Sequence, residues 1–271
     1  MITCGAPQSN QRRITLDAAV KEGLRCRFVI EERVPGSFNE DASCNHFLFR
    51  LLGVEAITMV PADTNMAAAM QALADELATA GRKAYILPGG GSNALGGLGY
   101  VAYAQKLQQQ SFEQGGQIDR VIVGSGSSGT LGGLLAGFLG NRIDIPILGI
   151  GVSRDPVDQD PLVLKETQAV LDLLGVPMSV AAGKVVTNGD YWLPKYSLPN
   201  RRMVEAVQLL AQTEAILLDP VYTGKVMAGL IGLLRAGAFK GDQNLLFLYT
   251  GGASSLFAYC ETVLGAGELA P

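Results

Sequence analysis

The sequence predicts an α/β protein, a two-domain open fold built on parallel sheets. Three observations carry that expectation. Short β-branched runs alternate with helix-period stretches along the whole chain, the spacing of β-α-β units. Glycine accounts for 34 of 271 residues without any collagen-like period, which places the excess in turns and close packings. Several strand candidates also run straight into small-residue segments that open a helix, and it is at such junctions that open α/β sheets hold ligands.

Taken in order, an opening strand around Ile2 and Thr3 leads through Gly5-Ala6-Pro7-Gln8-Ser9-Asn10 into a helix at 11–22. Strands follow at 27–31 (RFVIE) and 56–60 (AITMV), then a helix at 65–79 and a strand at 83–87 (KAYIL). The run Pro88-Gly89-Gly90-Gly91 breaks the chain before a long helix at 95–110, so the expected division is a small, mobile unit over 1–95 and a larger one over 96–271. In the second unit, strands at 119–123 (DRVIV), 146–150 (PILGI), 215–218 (AILL) and 245–249 (LLFLY) alternate with helices at 130–139, 161–174, 202–212, 225–236 and 254–263. The irregular stretch 182–200 carries Trp192, the only tryptophan, and reads either as a lid over a pocket or as an interface loop.

Composition excludes several classes. Hydrophobic residues make up 48% and charged residues 17%, with a net charge of -4 at pH 7, too apolar for a disordered chain and too weakly charged for a nucleic-acid binder. Cys4, Cys26, Cys44 and Cys260 form no C-x-x-C pair, and with His46 as the single histidine neither a structural zinc site nor a disulfide scaffold is expected. Cys4 and Cys26 read as buried fillers, His46 as a surface or hydrogen-bonded helix residue, and Arg12-Arg13 and Arg201-Arg202 as solvated turns. The start ITCGAPQSN has no basic stretch followed by an apolar run, and no stretch of about 18 apolar residues suggests a membrane span. The expectation is a cytoplasmic protein without membrane, nucleic-acid or metal partners.

Four junctions carry the chemistry. Gly124-Ser125-Gly126-Ser127-Ser128-Gly129-Thr130 follows the VIV strand and opens LGGLLAGFLG. Its small residues allow a sharp turn, its N–H groups can converge on an anion, the helix start adds positive potential and the hydroxyls add donors, so the segment reads as a phosphate cup or, more plainly, as a tight strand-to-helix turn. It lacks G-K-[ST] and the dinucleotide G-x-G-x-x-G context, which disfavours ATP and NAD. Ser9 and Asn10 either cap the first helix or present a hydroxyl and an amide to a ligand. In Asp219-Pro220-Val221-Tyr222-Thr223-Gly224-Lys225, Tyr222 is either an acid and hydroxyl donor or a packed aromatic. Lys225 reads as an exposed first-turn residue whose charge hints at a nearby anion. The last junction is Tyr249-Thr250-Gly251-Gly252-Ala253-Ser254.

Together, ITCGAPQSNQRR, GGGSNALGGLGYV, GSGSSGT, LLDPVYTGKVMAGLI and YTGGASSLFAY resemble the D-cysteine desulfhydrase and 1-aminocyclopropane-1-carboxylate deaminase family of pyridoxal-phosphate enzymes, with fold type II, the tryptophan-synthase-β-like architecture. The resemblance covers almost the whole chain. It implies that Ser9 faces the substrate carboxylate and Cα, and that Asn10 supports the cofactor 3′-oxygen. Gly126, Ser127, Ser128, Gly129 and Thr130 would hold the phosphate, and Thr250 would stand at the pyridine nitrogen. Tyr222 would sit near the leaving group, and Tyr196 would match the tyrosine of a glycine-flanked segment. Thr223 stands where the ring-opening deaminases carry glutamate, which with Thr250 tips the expectation toward the desulfhydrase branch. The implied reaction is conversion of D-cysteine to pyruvate, sulfide and ammonia by a homodimer.

The sequence departs from the family at KYSLP and GTLGG, and more seriously at its start. In the family a leading segment carries the Schiff-base lysine ahead of QSN. None of the eight lysines here lies before QSN, so the resemblance implies a chain lacking that segment, with exposed sheet edges, poor solubility or compensating oligomerisation. Two alternatives to the desulfhydrase follow: a 1-aminocyclopropane-1-carboxylate deaminase, and an inactive homologue acting as a binding or regulatory protein. A sugar-phosphate or nucleotide binder explains the four junctions less well.

Overall fold

Parallel sheets covered by helices account for both parts of the chain. The computed structural model describes residues 1–265 and 269. These form two units, Met1–Gly91 with Ser254–Ala258, and Ser92–Ala253 with the residues from Tyr259 onward.

In the first unit, β1 (Ile2–Gly5), β2 (Arg27–Glu32) and β3 (Ala56–Pro61) lie side by side in that order, all parallel, with Ile2 opposite Arg27 and Arg27 opposite Ala56. Helices α1 (Asn10–Lys21), α2 (Cys44–Leu51) and α3 (Met66–Thr79) cover the sheet. The alternation of side chains along β2 decides which helix goes where. Phe28 and Ile30 pack with Leu16, Ala19 and Phe49, from α1 and α2, whereas Val29 packs on the other face with Met70 and Leu77 of α3. A strand buried on both faces reads as a continuous apolar run, which is why RFVIE stands out in the sequence. The expected strand at 83–87 contracts to a single bridge, Ile86 to Ile2, held by Ile2 N–H to Tyr85 O (2.9 Å) and Leu87 N–H to Ile2 O (2.8 Å). Pro88 and the left-handed Gly90 and Gly91 turn the chain away immediately afterwards.

Arg12 is fully buried, not solvated: its guanidinium lies over Phe28 (5.2 Å) and Phe49 (4.9 Å) and donates to Ala6 O. His46 is buried as well, edge-on to Phe38 and Phe49. Cys4 and Cys26 are the buried fillers expected, and burial raises both thiols above their ordinary pKa.

Glu55 closes the lower end of this sheet. It accepts from Arg82 (3.0 Å), Arg27 (2.7 Å) and Arg25 (3.2 Å), which hold its carboxyl down at about 2 from an ordinary 4.5. A depressed carboxyl contributes stability above its unfolded pKa and loses it as pH falls through the folded one. Glu55→Gln is therefore expected to lower the Tm by about 2–4 °C near neutrality. The gap to the unaltered protein should close as the pH drops from 4.5 toward 2, as thermal melts across that range would show.

The second unit carries β4 (Arg120–Ser125), β5 (Ile147–Gly151), β6 (Thr187–Asn188) and β7 (Leu245–Phe247) in the parallel order β6-β5-β4-β7. Its helices are α4 (Ala94–Glu113), α5 (Gly129–Gly140), α6 (Pro156–Leu173), α7 (Arg201–Glu214), α8 (Thr223–Arg235) and α9 (Cys260–Leu264). Adjacent residues of β5 point to opposite faces. A methyl on Gly149 would meet Leu131 of α5, and one on Gly229 of α8 would meet Ile150, so α5 and α8 cover the two faces. Helices α4 and α5 approach so closely that a methyl on Gly133 would lie 2.5 Å from Gly97 O, which accounts for part of the glycine excess.

The expected strand at 215–218 is not one among the described residues. Ala215 ends α7 in a left-handed conformation, and the chain then runs irregularly with Ile216 and Leu217 exposed, tied to Tyr249 Oη through Leu217 O (2.9 Å). No described helix is long and apolar enough to cross a membrane.

Candidate active site

The glycine-serine junction sits at the carboxyl end of β4, where α5 begins. Ser128 takes the left-handed conformation, φ 78°, and its own side chain does not cap the helix. The N–H groups of Gly126, Ser127, Ser128 and Thr130 donate to no group among the described residues. They stand at the positive end of the α5 dipole, so the turn has the donors and the potential of an anion cradle. The remaining N–H, that of Gly129, donates to Ser92 Oγ (3.0 Å), which in turn donates to Ser127 Oγ (2.9 Å). Ser127 therefore accepts and keeps its own proton to donate. Ser128 Oγ instead donates to the neighbouring Ser127 O, so this hydroxyl is not the extra donor that the sequence suggested. Below the cup, Gln159 Nε2 donates to Ser125 Oγ (2.9 Å), and Arg154 donates to Gly126 O (2.8 Å). A phosphomonoester fits this set of donors.

Tyr222 lies against the cup. A methyl on Gly126 would meet Tyr222 Cε1 at 3.1 Å and Val152 at 3.0 Å, so glycine is what lets the turn and the tyrosine share this space. Tyr222 Oη and Tyr196 Oη are 3.2 Å apart with their rings edge to face. The structure thus brings together the cup, Tyr222 and Tyr196. Each tyrosine is held by a buried ionisable group. Asp219, fully buried, accepts from the N–H groups of Val221 (3.1 Å), Tyr222 (3.1 Å) and Thr223 (2.7 Å) and from Thr223 Oγ1 (3.0 Å). Burial pushes its carboxyl above the ordinary pKa against the opposing pull of those donors. Lys225 is also fully buried, not exposed as expected, and its ammonium donates to Trp192 O (2.7 Å) and Lys195 O (3.0 Å). Burial lowers its pKa to about 8, with the charge of Asp219 acting in the other direction. The segment around Tyr196 is further anchored by Asn200 Nδ2 on Tyr191 O (3.1 Å) and Leu193 O (2.7 Å), and by Tyr259 Oη on Ser197 O (2.7 Å).

Thr250 follows β7, which runs parallel to β4, and so leaves the sheet at the same end as the cup, with its side chain exposed. In the first unit, Ser9 caps α1 by accepting from Arg12 N–H (3.3 Å); capping uses a lone pair and leaves the hydroxyl proton to donate, so the two readings of Ser9 are compatible. Asn10 begins the helix, and its Oδ1 accepts from Asn45 Nδ2 (2.6 Å). The supporting roles of Ser92, Asn45 and Lys225 escaped the sequence reading. Ser92 and Lys225 lie within the GGGSNALGG and DPVYTGK segments, but the partners they reach are distant in the chain.

This chain belongs to the pyridoxal-phosphate dependent enzyme family, whose model matches residues 6–251. The D-cysteine desulfhydrase of Klebsiella pneumoniae (strain 342) is 42% identical over 260 residues, covering 96% of this chain and 78% of the relative. That of Salmonella paratyphi C (strain RKS4594) is 41% identical over 261 residues, with the same coverage of 96% and 78%. Among solved structures, an ACC deaminase homologue superposes with a TM-score of 0.84 at 31% identity over 97% of this chain and 77% of its own. O-ureido-L-serine synthase, with a TM-score of 0.66 at 14% identity over 98% of this chain and 78% of its own, shares the fold. The architecture is that of fold type II, and the cofactor of the family is pyridoxal phosphate.

Proposed function

We propose that the chain uses pyridoxal phosphate to eliminate sulfide from D-cysteine, with deamination to pyruvate. The observation that supports this most is the cup itself, four unengaged N–H groups at a helix start with a tyrosine pair beside it. When bound, the cofactor supplies an electron-withdrawing ring conjugated to the substrate nitrogen. Gly126, Ser127, Ser128 and Thr130 would hold its phosphate, Gly129 would shape the turn between them with its own N–H on Ser92, and Thr250 would face its ring nitrogen. Asn10 meets its 3′-oxygen. Ser9 donates its hydroxyl to the substrate carboxylate. Tyr222 gives a proton to the departing sulfur, and Tyr196, within hydrogen-bond reach of that hydroxyl, steadies its orientation. In this reading residues 1–95 act as a small mobile domain and 96–271 as the cofactor-binding domain. The family likeness also supports a cytoplasmic homodimer with no nucleic-acid partner.

No lysine of this chain is assigned the Schiff-base role. Lys225, the one fully buried lysine among the described residues, is committed to two main-chain carbonyls. The test accordingly has two readouts. The protein is titrated with pyridoxal phosphate, and D-cysteine, L-cysteine and 1-aminocyclopropane-1-carboxylate are then supplied while keto acid, sulfide and ammonia are measured. Equal amounts of pyruvate and sulfide from D-cysteine are expected. A four-carbon keto acid from the cyclopropane substrate would reassign the branch, and cofactor binding without any product would favour the non-catalytic binding protein.

A further inference from the structure

The hydrogen bonds around Asn45 determine which end of the Asn10 amide is available to a ligand. Asn45 is fully buried near the start of α2. Its Nδ2 lies 2.8 Å from Gln8 O and 2.6 Å from Asn10 Oδ1, and its Oδ1 receives Ser254 Oγ at 2.7 Å. A main-chain carbonyl only accepts, so the Asn45 atom facing Gln8 O is the nitrogen. Both N–H bonds of that nitrogen are then committed, one to Gln8 and one to Asn10. The Asn10 atom facing Asn45 must therefore be its oxygen, and the Asn10 NH2 group is turned the other way as a donor. Gln8 is fixed in its turn, with Nε2 on Ser43 O (3.1 Å) and Oε1 receiving His46 N–H (3.3 Å), so the arrangement is tied to α2 at several points.

We infer that Asn45 is a positioning residue: by holding the Asn10 carbonyl it presents the Asn10 amide as a hydrogen-bond donor to the 3′-oxygen of the cofactor. The inference rests on the cofactor reading above. The electron-rich 3′-oxygen is an acceptor, so an Asn10 amide turned through half a circle would set oxygen against oxygen. Without Asn45 nothing else identified on Asn10 distinguishes the two orientations. The complete burial of Asn45 also matters, because a buried amide whose three bonds are all matched in donor and acceptor sense has no alternative arrangement of equal energy.

The test compares binding of pyridoxal phosphate with binding of its 3-deoxy analogue, which lacks the 3′-oxygen, by calorimetric or fluorescence titration of the whole chain. Asn45→Ala is expected to weaken pyridoxal phosphate about tenfold or more while moving the analogue less than about twofold, the size of a hydrogen bond to a charged acceptor. Asn10→Ala should show the same selectivity, and the double variant should lose little beyond either single one. Asn10→Asp serves where Asn45→Ala fails to fold: it still accepts from Asn45 but faces the ligand with oxygen only, and should lose pyridoxal phosphate and keep the analogue. Equal losses for both ligands would make Asn45 merely structural and overturn the inference, as would undiminished pyridoxal-phosphate affinity in Asn45→Ala or Asn10→Asp. Failure of the unaltered chain to bind either compound would instead overturn the cofactor reading, and this inference with it.

Discussion

Asp219→Ala is expected to destabilise the protein by about 3–5 kcal/mol, the range for removing one member of a buried charged network. The carboxylate gathers three consecutive N–H groups, those of Val221, Tyr222 and Thr223, together with the Thr223 hydroxyl, at a position sealed from water. Alanine supplies no acceptor, so each donor keeps its desolvation cost without a protein partner. The fully buried Lys225 also loses the opposing charge of Asp219. For a protein of this size the loss corresponds to a fall in Tm of roughly 6–20 °C. Asp219→Asn retains one acceptor oxygen and a similar shape, and is expected to lose less than half as much. A melting temperature within about 2 °C of the unaltered protein for the alanine variant would show that these bonds contribute nothing net.

The same residue shows what could be read from the sequence. Asp219 was visible as the first letter of a junction motif, and Tyr222 as its aromatic. The reason for their spacing was not, because it lies in an aspartate reaching forward to the N–H groups of the next turn. The parallel sheets and most helices were legible from periodicity, since β2 and β4 are buried on both faces and their apolar runs are unbroken. Segments 83–87 and 215–218 carry the same local signal but make one bridge and none respectively among the described residues, because a strand needs a partner as well as a propensity. Burial of charge was the hardest property to foresee. Arg12 and Lys225 look solvent-bound by residue type, and the aromatic rings and the Ala6 carbonyl against one and the two carbonyls against the other make burial tolerable.

Placing a carboxylate in the cup by Ser128→Asp is expected to weaken pyridoxal-phosphate binding by at least about 100-fold. Position 128 holds φ 78°, which aspartate tolerates better than most residues, so the backbone turn should survive. The four unengaged N–H groups would remain, but the new charge would oppose the phosphate. At ~5 Å and an effective dielectric near 20 the repulsion is roughly 3 kcal/mol per unit charge, a factor of about 10² in affinity, and the phosphate carries more than one. Ser128→Gly separates charge from conformation. The Ser128 hydroxyl is already turned onto Ser127 O and glycine accepts the left-handed region freely, so affinity should stay within a few-fold and stability should change by less than about 1 kcal/mol. Raising the salt concentration should recover part of the aspartate variant's loss while leaving the glycine variant unmoved. Equal affinity for all three proteins would mean that the phosphate is bound elsewhere, and the turn at Gly126–Thr130 would then be only the tight connection between a strand and a helix.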